Sequence, residues 1–240
     1  MIPKIELKNV GYSYRSGKGT YSLRRIKRRD ESFERRVLKD FSLTICEKER
    51  VSLIGLNGSG KSTTLKLIAG IMPPDEGQVI TVGNVAAILE MGIGFEEHLN
   101  ARQNITSYDA FHGIDRQHTL KRVPNVVRWA ELGEYSELPF RTYSTGMKGR
   151  LAFATSTEVD PEILLLDEVL GVGDIKFAQK AKDRMNQLTE NAGCMVLVTH
   201  DLNSARELTE RGIWIHEGVI RDDGPIETVI ANYYEWSTKN

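Results

Sequence analysis

Gly55-Leu-Asn-Gly-Ser-Gly-Lys-Ser62 is the stretch on which the reading of the fold turns. It fits the spacing G-x-x-x-x-G-K-[ST] at every fixed position, and each fixed residue has a physical job. The glycines let the backbone turn tightly and aim its N–H groups at phosphate oxygens. Lys61 can reach the β- and γ-phosphates of a nucleoside triphosphate, and the Ser62 hydroxyl can ligate Mg2+. Asn57, Gly58, Ser59, Gly60 and Thr63 complete the cradle, with the helix that opens at Gly60 adding its positive dipole end. Before the loop, Val51-Ser-Leu-Ile54 is a short apolar run of the kind that forms a buried parallel strand. After it, Lys61 to Ala69 carries helical spacing and stops at Gly70.

Outward from the loop, Ile163-Leu-Leu-Leu-Asp-Glu168 reads as a buried strand ending in two adjacent carboxylates. Asp167, at the strand's carboxyl end, can hold magnesium through water, and Glu168 can polarise an attacking water. No Asn-Lys-x-Asp element is present, so a guanine-specific site is not expected. Strands are expected at 5–10, 41–45, 85–89 and 195–198, with a hairpin turning at His216-Glu-Gly218. Pro73 to Gly77 reads as a loop, and helices are expected over 177–188 and 225–237. Residues 101–140 lack strand alternation and carry helical spacing instead. The expected fold class is therefore α/β: a P-loop NTPase with a parallel-sheet core, an N-terminal antiparallel β piece and a helical subdomain. The core lobe is assigned to 1–95 and 160–240, and the helical subdomain to about 96–158.

The 240 residues are enough to bury about 70% of the chain's surface without disulfides. Hydrophobic residues make up 40% and charged residues 27%, which excludes a disordered or collagen-like chain. No apolar run approaches the ~18 residues of a spanning helix, the N-terminus lacks a signal-peptide pattern, and the two cysteines form no CxxC pair. The net charge of −1 hides an asymmetry: residues 1–39 hold 12 Lys/Arg against 4 Asp/Glu. That excess sits in an insertion over 15–39, including Arg24-Arg-Ile-Lys-Arg-Arg29. It could meet nucleic acid, an anionic membrane surface or a phosphate-bearing substrate, or simply be a solvated face. The apolar set Leu23, Ile26, Phe33 and Val37 predicts a short amphipathic helix over 23–37.

Tyr143-Ser-Thr-Gly-Met-Lys148, upstream of the carboxylate strand, resembles the signature motif of ABC ATPases. With the P-loop and Asp167-Glu168 in order around it, the resemblance covers essentially the whole chain, with a RecA-like core implied. It implies that Ser144 and Gly146 contact the γ-phosphate of ATP held by a second subunit, with Thr145 and Met147 in the same cofactor-binding segment; read alone, the motif is better taken as a plain helix cap. It also implies that His200 is the switch histidine, that Asp174 in Gly171-Val-Gly-Asp174 belongs to the D-loop, and that Tyr14 stacks on adenine, with Tyr12 a close competitor. The family's usual glutamine after the strand at 85–89 is absent, and Glu90 is the candidate for its contact to magnesium.

Within that family the chain is similar to the nucleotide-binding subunits of polysaccharide, O-antigen and teichoic acid exporters. The likeness rests on the insertion after Tyr14, on Leu89-Glu-Met-Gly-Ile-Gly-Phe95, and on the segments around Ser144 and Asp174. It implies ATP and Mg2+ as cofactors and a homodimer working with two membrane-spanning permease subunits on a lipid-linked polysaccharide. The expected place is the cytoplasmic face of the inner membrane, peripherally, with no C-terminal carbohydrate-binding domain within these residues. A soluble ABC-type ATPase acting on nucleic acid is the alternative. It is disfavoured because such proteins usually carry coiled coils or tandem cassettes, so nucleic acid is not expected as a partner. A non-catalytic nucleotide sensor is disfavoured by Lys61, Asp167, Glu168 and His200 occurring together.

Overall fold

A computed structural model describes residues 2–16, 33–89, 94–167 and 175–239. Its strands are β1 (Pro3–Ser16), β2 (Phe33–Cys46), β3 (Arg50–Ile54), β4 (Glu76–Thr81), β5 (Val85–Ile88), β6 (Ile163–Asp167), β7 (Cys194–Val198), β8 (Arg211–His216) and β9 (Val219–Pro225). Its α-helices are α1 (Lys61–Ile68), α2 (Ala101–Phe111), α3 (Arg116–Trp129), α4 (Thr145–Thr157), α5 (Ile175–Asn191), α6 (Leu202–Leu208) and α7 (Ile226–Ser237). The chain divides into two units, Met1–Val82 with Leu197–Asn240, and Gly83–Val196.

In the first unit, alternation does the local work. Ile5 and Leu7 of β1 and Phe41, Leu43 and Ile45 of β2 are buried while their neighbours are more open, so one face of the antiparallel pair carries the core. The sheet order is β2-β1-β4. β4 occupies a stretch whose start was expected to be loop; it pairs antiparallel with β1 from Glu76 opposite Gly11 to Thr81 opposite Ile5. The amphipathic helix expected over 23–37 is corrected at its C-terminal end. Residues 33–37 belong to β2, with Phe33 opposite Ser16 and Arg35 opposite Tyr14. Cross-strand hydrogen bonding to β1 overrides the helical spacing of the apolar residues. The rest of that expectation, residues 23–32, lies outside the described residues.

Also in this unit, β3 runs parallel to β8, and β8 returns antiparallel as β9 through the expected turn at Glu217-Gly218. α7 covers β8: Ile226, Val229 and Ile230 pack with Ile54, Ala205 and Trp214. The second unit holds strands in the order β5-β6-β7, β5 running parallel to β6, together with α2 to α5. Its helical core joins Ile105, Val123, Val126, Phe140 and Leu151, and Trp129 stacks on Phe153 at 5.3 Å. Buried Asn104 of α2 fixes the preceding loop, donating to the Glu96 and Leu99 carbonyls and accepting from the Glu96 N–H. Parallel core strands, an N-terminal antiparallel sheet and packed helices make up the α/β class expected.

Candidate nucleotide site

The loop 55–62 is held where a buried strand hands over to a helix. Val51, Leu53 and Ile54 are buried, so β3 cannot shift, and the chain must turn at Gly55. A Cβ at Gly55 would stand 2.2 Å from the Ile215 carbonyl oxygen, and its φ of +150° excludes other residues as well. Gly60, at φ +115°, opens α1, and no side chain caps that helix. The first-turn N–H groups are thus left for an external acceptor, as an anion requires. Lys61 is 9% exposed and folds back over the loop, its Nζ donating to the Gly55 oxygen at 2.7 Å and the Leu56 oxygen at 2.9 Å. Its ammonium therefore lies at the loop's opening.

Two further observations test whether the loop suits a phosphate. The Ser59 Oγ is buried with no hydrogen-bond partner among the described residues, which is costly unless a ligand supplies one. Ser62, beside it, is exposed and offers a hard oxygen donor at the helix start. The residues present fit a phosphate-bound magnesium, which takes oxygen ligands and few protein groups. The hairpin turn braces the loop: the Gly218 N–H donates to the Ser59 backbone carbonyl oxygen at 3.2 Å. That buttress escaped sequence reasoning, because residues 59 and 218 meet only through the β3–β8 pairing.

Tyr14 and Tyr12 separate in the structure. The Tyr14 hydroxyl is 3.4 Å from Thr63 Oγ1 on α1, and the side chain is 44% exposed. Tyr12 packs edge-on against Tyr14 at 5.2 Å, and its hydroxyl donates to the Met72 sulfur. Burial, and then the nearby Tyr14 and Asp75, hold the Tyr12 hydroxyl above its ordinary pKa. Tyr14 is the ring turned to the loop.

His200 follows β7 and is exposed. It sits between buried Thr199 and Asp201, which caps α6 by accepting from the Asn203 and Ser204 N–H groups. The hydrogen bond from the Ser204 hydroxyl, then that from the Asn203 N–H, holds the Asp201 carboxyl below its ordinary pKa. α6 itself was not expected, although Asp201-Leu-Asn-Ser204 is a readable cap signal.

In the second unit, Asp167 ends the buried run Ile163–Leu166 and is itself half-buried. Ser144 caps α4, its Oγ accepting from the Met147 N–H at 3.2 Å. Ser144, Thr145 and Gly146 are exposed, and a Cβ on Gly146 would meet nothing nearer than Ser144 Oγ at 4.0 Å. Met147 is half-buried against the helical core. Glu90, Glu168 and Asp174 lie outside the described residues.

A glycine loop between a buried parallel strand and an uncapped helix, with a lysine folded over it, defines a P-loop nucleotide-binding protein. The chain belongs to the ABC transporter family, whose pattern matches residues 38–171. It is 33% identical over 240 residues to the teichoic acids export ATP-binding protein TagH of Shouchella clausii (strain KSM-K16), covering 98% of this chain and 66% of that one. It is 37% identical over 196 residues to the O-antigen export system ATP-binding protein RfbB of Klebsiella pneumoniae, covering 82% and 80%. Against RfbB of Myxococcus xanthus it is 40% identical over 198 residues, spanning only 45% of that relative. Among solved structures, a dimeric ATP-binding cassette in a post-hydrolysis state bound to ADP and Pi superposes with a TM-score of 0.67 at 26% identity, over 92% of this chain and 98% of that one. The family resemblance drawn from the motifs is borne out.

Proposed function

We propose that the chain is the ATP-hydrolysing subunit of an ABC transporter that exports a lipid-linked cell-surface polysaccharide through a separate membrane-spanning partner. One observation carries the substrate class. The relatives similar over 82% to 98% of the chain are named for teichoic acid and O-antigen export. The loop geometry supports the ATP chemistry, which is phosphoryl transfer to water dominated by positioning and charge stabilisation.

In this reading the N–H groups of the loop and Lys61 hold the phosphates, and Tyr14 takes the base. Glu168 accepts a proton from the attacking water, and His200 orients that water. Mg2+, when bound, neutralises charge on the β- and γ-phosphates, with the Ser62 hydroxyl, Asp167 and Glu90 as its candidate ligands. Ser144 to Met147 would meet ATP on a second copy of the chain, with Asp174 coupling the two sites. Two copies would work beneath two permease subunits, peripherally at the cytoplasmic face of the inner membrane. Among the described residues no helix is long and apolar enough to cross a membrane.

The experiment is co-purification with steady-state ATP hydrolysis, on the wild type and Glu168→Gln. A multi-spanning membrane protein should accompany the chain. The variant should keep ATP binding and lose about 10²- to 10⁴-fold in turnover, because an amide cannot take the proton. Recovery of nucleic acid in place of a membrane protein moves the reading to an ATPase acting on nucleic acid. Unchanged turnover removes Glu168 from the chemistry.

A further inference from the structure

Arg35 is a basic residue of the first unit that stands directly at the loop, lining one cleft with Lys39 and with Leu56 to Ser59. In the β1–β2 pairing its Cα partner is Tyr14, so the two side chains leave the sheet on the same face. Both point at the loop, at different places. Tyr14 reaches Thr63, beyond the helix start. The Arg35 guanidinium lies over Gly58, 3.0 Å from where a Cβ there would stand. Gly58 has φ +78°, so the loop needs glycine for its turn, and the missing side chain leaves the room the guanidinium uses.

The neighbouring arginines are already neutralised. Arg15 pairs with Glu34 and Asp75, and Arg36 pairs with Glu76 at 2.6 Å. Glu217 lines the same open cleft as Arg35, Asn57 and Gly58, yet no ion pair joins it to Arg35 among the described residues. That cleft measures about 410 Å3, many times the ~30 Å3 share of one water molecule, so it has space for phosphate groups. The position of the Lys61 ammonium, against the Gly55 and Leu56 oxygens, marks the end of the loop that faces the terminal phosphates. Arg35 shares its cleft with Leu56, whose oxygen accepts from that ammonium, whereas Tyr14 reaches Thr63.

We infer that Arg35 is a second cation for the terminal phosphates of ATP, supplied from β2 of the same chain, and that it favours the triphosphate over the diphosphate. The inference rests on the reading of the loop as an ATP site. A planar guanidinium can give two parallel hydrogen bonds to a phosphate, which a lysine in its place would not reproduce. Arg35, opposite Tyr14 and without an ion-pair partner among the described residues, thus turns a general phosphate loop into one that senses the length of the phosphate chain.

The test is titration of the purified chain with a fluorescent ATP analogue and the matching ADP analogue, on wild type, Arg35→Ala, Arg35→Lys, Arg36→Ala and Lys61→Ala. Arg35→Ala should weaken ATP by about tenfold, the loss of one charge-assisted contact, while ADP changes little. Arg35→Lys should recover part of the ATP affinity, and Arg36→Ala, whose charge is spoken for by Glu76, should match wild type. Circular dichroism guards against a folding defect in this exposed strand position. If Lys61→Ala loses ATP while Arg35→Ala binds ATP like wild type, or loses ATP and ADP equally, the inference fails and the ATP site stands. If the wild type binds no ATP, both fail together.

Discussion

Ser59 carries the loop's clearest signature of an awaited ligand. Its Oγ is buried without a partner among the described residues, and an unsatisfied hydroxyl of that kind costs about 1–3 kcal/mol. Ser59→Ala should therefore stabilise the nucleotide-free chain, raising Tm by about 2–4 °C per kcal/mol for a chain of this size. The same variant should bind ATP less tightly, because the hydroxyl would no longer meet a phosphate oxygen. Thermal unfolding with and without ATP checks both halves. A lower Tm in the free protein would mean that the hydroxyl has a partner in the fold after all. The loop itself was legible in the sequence because the interacting groups lie within eight consecutive residues and require particular residue types. Which tyrosine serves it was not: Tyr12 and Tyr14 are both aromatic residues of one strand, and only the hydroxyl contacts to Met72 and Thr63 tell them apart.

At the scale of elements, the second unit is pinned by an ion pair buried between helices. Arg122 of α3 donates to Asp109 of α2 and to the Thr155 oxygen of α4, and Asp109 is fully buried. Burial pushes the Asp109 carboxyl above its ordinary pKa, with Arg122 the main opposing influence. Arg122→Ala should cost about 3–5 kcal/mol, since it leaves a buried carboxylate uncompensated. The pH dependence follows from the sign of the shift. A carboxyl whose pKa is raised on folding keeps its proton longer in the folded state, so folding weakens as pH rises above the ordinary carboxylate range. Without Arg122 that weakening should steepen, and replacing both residues by apolar ones of similar volume should remove it. Denaturant unfolding of the variants between acidic and neutral pH is the measurement. Equal pH profiles for Arg122→Ala and wild type would show that Asp109 does not depend on this partner. Nothing in the sequence disclosed this pair, because residues 109 and 122 sit on different helices and neither position is special until the helices pack.

On the scale of the whole molecule, the signature segment makes the test of two-subunit action. Ser144, Thr145 and Gly146 are exposed at the start of α4 and sterically open. Ser144→Arg should leave ATP binding by the single chain within about twofold, while an ATP-dependent dimer formed by Glu168→Gln is lost in the double variant, by steric and charge conflict with the partner's nucleotide. Size-exclusion with light scattering reads the dimer. A dimer that persists in the double variant would place the contact elsewhere. The Ser144 hydroxyl already caps its own helix, so Ser144→Ala should lower stability by about 1 kcal/mol as well.

By itself, the sequence determined what depends on neighbours along the chain. The strand, glycine loop and helix at 51–68, the acidic end of β6 and the turn at Glu217-Gly218 follow from residue types a few positions apart. Tertiary structure alone decided what depends on pairing between distant segments. β2 reaches back to Phe33 because β1 supplies its hydrogen-bond partners, although the same residues carry helical spacing. β4 forms because β1 offers a second edge, despite Gly77 near its start. The register of β1 against β2 then sets Arg35 opposite Tyr14 and over Gly58. A shift of one residue would send those side chains to the other face, and periodicity within a single strand carries no information about its partner's register.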